Sequence, residues 1–306
     1  MSEEIRRKVD VPQTKITRRL ALREAWIFVA FTFAITYALW FYIAGDASRL
    51  GLVSYGMFVP ALCAIVTKLA LRGSLRGMGW RLPNWKWLLA GWLIPLGYSI
   101  LAYLPLLAIP ALGGVEHRTV STLVAQYHLN HFPASSFVAA SVWFLFIATV
   151  GTLMALPSAT GEEVGWRGLL VPAFAQAYGE RKGSVLSGII WAAWHYPLVM
   201  LGIYYGRSSI GFSLFAFSLA AIAAGIVLAW LRLRSASLWP AAIAHSTHNS
   251  IVQSFFDRLV PPTPLNGYLA GEFGLFLVLS IGIVAAWCWP RLLPSTASAA
   301  RPGDVA

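Results

Sequence analysis

Of the twelve Asp and Glu residues in 306, two are neighbours in the stretch "TGEEVGWRG", Thr160 to Gly168. On a helix, Glu163 and Arg167 stand four apart on one face and can pair. Glu162 points about 100° away from Glu163 and is free to face a cavity. Two further clusters share this character. In "SVLSGIIWAAWHYPLVMLGIY", Trp191 lies one turn before His195, and Pro197, which has no N–H to donate, frees the carbonyl of Ala193. In "SASLWPAAIAHSTHNSIVQSFF", His245 and Asn249 are four apart on one face and His248 is three after His245. Each cluster alone has a bland reading: an ion pair anchoring a helix end, a hydrogen-bonded packing histidine, or polar contacts gluing helix to helix. Convergence of all three would build a polar, water-holding chamber of the kind expected at an active site.

These residues sit in an apolar chain, 58% hydrophobic and 11% charged, against roughly 25% charged in a soluble domain. Charges at membrane depth cost at least ~2.5 kcal/mol each and persist where they pair or line a functional cavity. Eight apolar segments are long enough to cross a bilayer: 25–45, 52–71, 87–112, 137–157, 184–203, 210–231, 236–256 and 271–290. Lipid excludes irregular backbone, so the expected fold is an all-α polytopic bundle of about eight transmembrane helices. The segment 158–183, polar at its start and ending in "GERKG", is expected as a short re-entrant or interfacial helix carrying the two glutamates.

The net charge of +11 follows topology rather than a nucleic-acid surface. Seven basic residues precede the first span, and Arg72, Arg76, Arg81 and Lys86 follow the second. The alternate loops carry one arginine each, so the positive-inside pattern puts both termini in the cytoplasm. The first segment exceeds a signal-peptide core and no small-residue cleavage site follows it, so it is expected as a true span. Cys63 and Cys288 sit within apolar segments as small hydrophobes. The expected organisation is a basic tail (1–24), one membrane domain (25–292) with its chemical core at about 137–256, and a disordered tail (293–306). His117, His128 and His131, without helical metal-ligand spacing, read as solvated residues of an outer loop.

With these motifs the chain resembles the CPBP intramembrane proteases, the CAAX protease and bacteriocin-processing family, also called type II CAAX prenyl endopeptidases. That family is marked by Glu-Glu-x-x-x-Arg, Phe-x-x-x-His and His-x-x-x-Asn/Asp on an eight-helix-type membrane fold. Here they stand in register as "EEVGWR" (Glu162, Glu163, Arg167), "WAAWH" (Trp191, His195) and "HSTHN" (His245, Asn249). Trp191 replaces the usual Phe and keeps an aromatic wall.

The resemblance implies an endopeptidase. Glu162, with His195, activates a water; His245 and Asn249 hydrogen-bond the oxyanion; Glu163 and Arg167 support them. It requires no cofactor. Because the family has also been described as metalloproteases, zinc held by Glu162, His195 and His245 stays open, although no HExxH is present. The implied partners are the bilayer and a peptide or membrane-protein substrate, with or without a lipid anchor, and no nucleic acid. The compact chain fits a prokaryotic cell membrane. A non-catalytic immunity or scaffolding protein is the alternative, and a proton-coupled carrier a third reading, for which no inverted repeat is found.

Overall fold

The computed structural model describes residues 3–109, 136–204, 206–261 and 263–293. Among these residues there is no β-strand. The outer loop with His117, His128 and His131, and residues 294–306, lie outside them.

Each expected span has a helical counterpart. They are α1 (Glu3–Ala44), α2 (Val59–Arg72), α3 (Trp85–Ala108), α4 (Val138–Tyr178), α5 (Glu180–Met200), α6 (Ile210–Ser235), α7 (Trp239–Leu259) and α8 (Leu275–Cys288). Among the described residues, α1 from Arg18, α3, α4 and α6 are each long and apolar enough to cross a membrane. A fifth span arises if Ala47–Gly56 and α2, bent by 41° at their junction, count as one. By the same measure α5 and α7 fall short, because they carry the polar motif residues, and those face inward. The outside of the bundle is greasy: Leu153 and Met154 on α4 are 67% and 74% exposed. The inside holds the charges, with Glu163 and Arg167 both at 0%. An apolar exterior around a polar interior is what a lipid solvent demands.

One expectation is overturned. The Glu-Glu-x-x-x-Arg segment is no separate re-entrant or interfacial helix; it continues span four without a break through α4, 41 residues long. At 1.5 Å per residue that is about 60 Å, twice a ~30 Å hydrocarbon core. The helix has no need to leave the bundle at residue 158, because the charges there find partners among neighbouring helices. Two stretches of α4 are widened to π-helix, Ile147–Gly151 and Val164–Leu170, as is Asn249–Phe256 in α7. Such insertions gather at functional sites because they re-aim side chains. Here one begins directly after Glu163 and another at Asn249.

The α4–α5 hairpin sets the height of the chemistry. It turns at Gly179, whose φ of +84° belongs to a region that side-chain-bearing residues avoid. Glu162 precedes that glycine by 17 residues and His195 follows it by 16, so the antiparallel arms bring both to one level, about 25 Å from the turn. Near the turn the arms nearly touch: a Cβ on Gly183 would lie 2.7 Å from the Ala175 nitrogen. On the other wall, a Cβ on Gly91 of α3 would lie 2.4 Å from the Pro240 carbonyl oxygen at the start of α7. Farther along, Ser246 Oγ donates to the Thr152 carbonyl (2.5 Å), tying α7 to α4. Gly183→Leu should force the hairpin apart and lower stability by ~1–3 kcal/mol, read as an earlier unfolding transition in detergent.

Candidate active site

The site is built outward from one buried ion pair. Arg167 donates to Glu163 Oε1 at 2.8 Å, one helical turn away. The same oxygen accepts from His245 Nδ1 on α7 at 2.9 Å. Burying two charges is costly unless they are paired and hydrogen-bonded. The pairing is incomplete: Glu163 Oε2 and Arg167 Nε and Nη2 have no hydrogen-bond partner among the described residues. The Arg167 guanidinium lies over the face of Trp191, 4.5 Å from the ring centroid, a contact that strengthens where water is excluded. Arg232 of α6 holds the widened turn in place, donating to the Arg167 carbonyl (2.9 Å) and the Gly77 carbonyl (2.8 Å).

Glu162, 2% exposed, faces the other way. Its Oε2 accepts from Trp191 Nε1 at 2.8 Å and Trp166 Nε1 at 3.2 Å. Among the described residues no hydrogen bond reaches its Oε1. His195 donates from Nδ1 to the Trp191 carbonyl at 2.9 Å, which leaves Nε2 as the ring's acceptor. The ring is wedged edge-on against Trp194 and Phe217, with centroids 4.6 and 4.9 Å away. The Ala193 carbonyl freed by Pro197 is satisfied from across the bundle by the Tyr37 hydroxyl, at 2.8 Å. α5 therefore continues through the proline to Met200.

Glu162, His195, His245 and Asn249 all line one cavity of about 450 Å³. Glu163 and Arg167 stand behind its wall, as the sequence spacing suggested. The rest of the lining is mostly apolar, from Trp40 and Ile94 to Leu228 and Leu277. Hydrogen bonding and charge inside such a space are stronger than in water. The three motifs thus meet, each from its own part of the chain, around a chamber large enough to hold water.

A second polar group on the same cavity went unrecognised in the sequence. Glu272, in the turn before α8, accepts from His248 Nε2 (3.0 Å), Gln253 Nε2 (2.9 Å) and the Tyr204 hydroxyl. The Tyr98 hydroxyl holds His248 Nδ1 at 2.8 Å. With Nε2 donating to a carboxylate, Nδ1 is the acceptor for the tyrosine. Glu272 carried a signal, being a rare acid at the border of an apolar span. Tyr98, Tyr204 and Gln253 carried none.

The sequence left zinc open, with Glu162, His195 and His245 as the candidate set. Glu162, His195 and His245 share the cavity, but among the described residues no three His, Cys, Asp or Glu side chains gather closely enough to hold a metal ion. No step below runs through a metal.

Residues 139–251 match the family described as type II CAAX prenyl endopeptidase Rce1-like. That segment is similar to the CAAX protease family over somewhat more than a third of the chain. Over 84 residues the chain is 36% identical to CAAX prenyl protease 2 of Methanococcus maripaludis, a stretch that makes up 26% of this chain and 31% of the archaeal protein. The matched family segment includes Glu162, Glu163, Arg167, His195, His245 and Asn249. It begins at α4 and closes within α7, so it contains the Gly179 hairpin and the ion pair that ties α7 to it. α1, α3 and the turn before α8, which complete the cavity wall through Trp40, Tyr98 and Glu272, lie outside the match.

Arg167→Met should leave Glu163 as a buried carboxylate with His245 as its remaining hydrogen-bond partner among the described residues and cost ~3–5 kcal/mol. The double variant Glu163→Gln, Arg167→Met should recover part of that loss. A double-mutant cycle on thermal unfolding in detergent measures the coupling.

Proposed function

We propose that the protein is an intramembrane endopeptidase that hydrolyses peptide bonds of membrane-associated substrates with a water activated by Glu162 and His195. The observation that carries this reading is the shared cavity. Glu162 Oε1 is unoccupied among the described residues, His195 Nε2 is an acceptor, and both border one chamber with His245 and Asn249. The family match over 139–251 supports the same class of chemistry.

The step balances without a co-reactant. Water, accepted by His195 Nε2 and Glu162 Oε1, loses a proton to Glu162 as its oxygen bonds to the scissile carbonyl carbon. The carbonyl oxygen becomes an oxyanion, which the Asn249 amide and, when its ring carries both protons, His245 Nε2 stabilise as donors. Collapse breaks the C–N bond, the leaving amine takes the proton from Glu162, and the acyl product leaves as a carboxylic acid that gives its remaining proton to the amine or to solvent. Glu163 holds His245 in the required orientation through Nδ1. The apolar cavity wall suits an extended peptide segment with an apolar or lipid-modified residue entering from the bilayer. Substrate entry from the cytoplasm, with both termini on that side, follows from the basic loops. A prokaryotic cell membrane is the proposed setting.

Purified protein with a panel of peptide reporters, including lipidated ones, tests this. Glu162→Gln and His195→Ala should each lower kcat/KM by roughly 10²–10⁴-fold. Variants that cleave as well as wild type would sink the assignment, and an immunity phenotype that survives Glu162→Gln would favour a non-catalytic role. Activity should also survive a strong chelator. Loss in chelator with recovery on zinc would overturn the metal-free route.

A further inference from the structure

The Trp191 side chain touches more of the site than any wall residue needs to. Its indole N–H donates to Glu162 Oε2, its ring face carries Arg167, and its edge meets the His245 ring at a centroid distance of 5.4 Å. Trp166, one turn after Glu162 on α4, donates to the same Oε2 and is itself completely buried between Phe28 and Trp194. One donor therefore comes from each arm of the α4–α5 hairpin. The phenylalanine usual at position 191 in the family pattern could supply the ring but no donor.

We propose that Trp191 and Trp166 form an indole clamp on Oε2 of Glu162, which turns Oε1 toward the cavity as the single oxygen that takes the proton from water. Trp191 is a positioning residue in this scheme; it acts through Glu162. A carboxylate has two chemically equivalent oxygens and rotates about its last bond. With both indoles on one oxygen that rotation is stopped, and the other oxygen stays level with His195. The clamp also links the base to the hairpin, since α5 cannot slide along α4 without breaking the 2.8 Å bond. The assignment of Oε1 rests on the reading of Glu162 as the base; the clamp itself does not.

The test has two arms on the full-length protein. In the kinetic arm, Trp191→Phe keeps the ring, and with it the contacts to Arg167 and His245, but removes the donor. kcat should fall roughly 10- to 100-fold, the usual effect of losing a hydrogen bond to a charged group. KM should stay near wild type, and the unfolding temperature should fall by no more than a few degrees. Trp166→Phe should act in the same direction and more weakly, because its bond is longer. In the spectroscopic arm, the protein is labelled with ¹⁵N-indole tryptophan, and Trp191→Phe and Trp166→Phe assign two of the 14 tryptophans. Glu162→Ala should move both assigned N–H signals to the positions of free indole. Glu162→Gln, which keeps a neutral acceptor, should move them less.

Trp191→Phe turning over at the wild-type kcat, or both signals staying in place in Glu162→Ala and Glu162→Gln, would overturn the clamp. A wild-type protein that cleaves no reporter would overturn the peptidase reading, and the two indole signals would still decide whether the clamp exists.

Discussion

The arrangement depends on how a buried carboxylate is kept charged and still. Glu163 is fully enclosed, and a lone ionised carboxylate there would not be tolerated. It is answered by Arg167 from its own helix and His245 from α7. That single oxygen joins two distant stretches of chain, 82 residues apart. Because α7 must come to α4 to complete the pairing, Asn249 is brought to the cavity as well. The pair contributes geometry more than stability. Buried pairs often gain little over apolar packing, and here three polar atoms remain without partners among the described residues.

Glu162 has the opposite environment although it is the adjacent residue. Its partners are neutral indole N–H groups on one oxygen, with no cation in hydrogen-bond contact among the described residues. A carboxylate tied to an arginine is a poor proton acceptor, whereas one steadied by neutral donors keeps a usable lone pair. One helix therefore presents two carboxylates with two roles, separated by the 100° between consecutive side chains. The π-helical stretches serve this division. Widening begins directly after Glu163, and Arg232 from α6 takes the Arg167 carbonyl.

The polar lining extends past the proposed reacting groups. Glu272, His248, Gln253, Tyr204 and Tyr98 satisfy one another along the same cavity. Their bonds span α3, α7 and the turns flanking α6 and α8, so they tie together walls that the ion pair does not reach. A bundle in lipid gains no hydrophobic driving force from packing helix on helix, and interhelical hydrogen bonds of this kind help replace it. The same elements that close the cavity thereby also supply its polar lining.

Much of this was written locally. Composition and apolar run length determined the membrane class and the all-α architecture, because lipid leaves so few ways to satisfy a backbone. Spacing along a helix determined the Glu163–Arg167 pair and the shared faces of Trp191 with His195 and of His245 with Asn249, because one turn of helix is the same everywhere. The chemistry of proline likewise foretold a carbonyl at Ala193 in need of a donor. What lay across the bundle was not legible. Nothing in the sequence said that Tyr37 would meet that carbonyl, that Glu272 would join His248, or that Trp191 would hold Glu162 and not merely wall the site. The re-entrant helix at 158–183 failed for the same reason. A local count of charges suggested that the chain must leave the bundle. Only the tertiary structure, by bringing His245 from a remote helix to share the burden with Arg167, allowed α4 to carry them straight through.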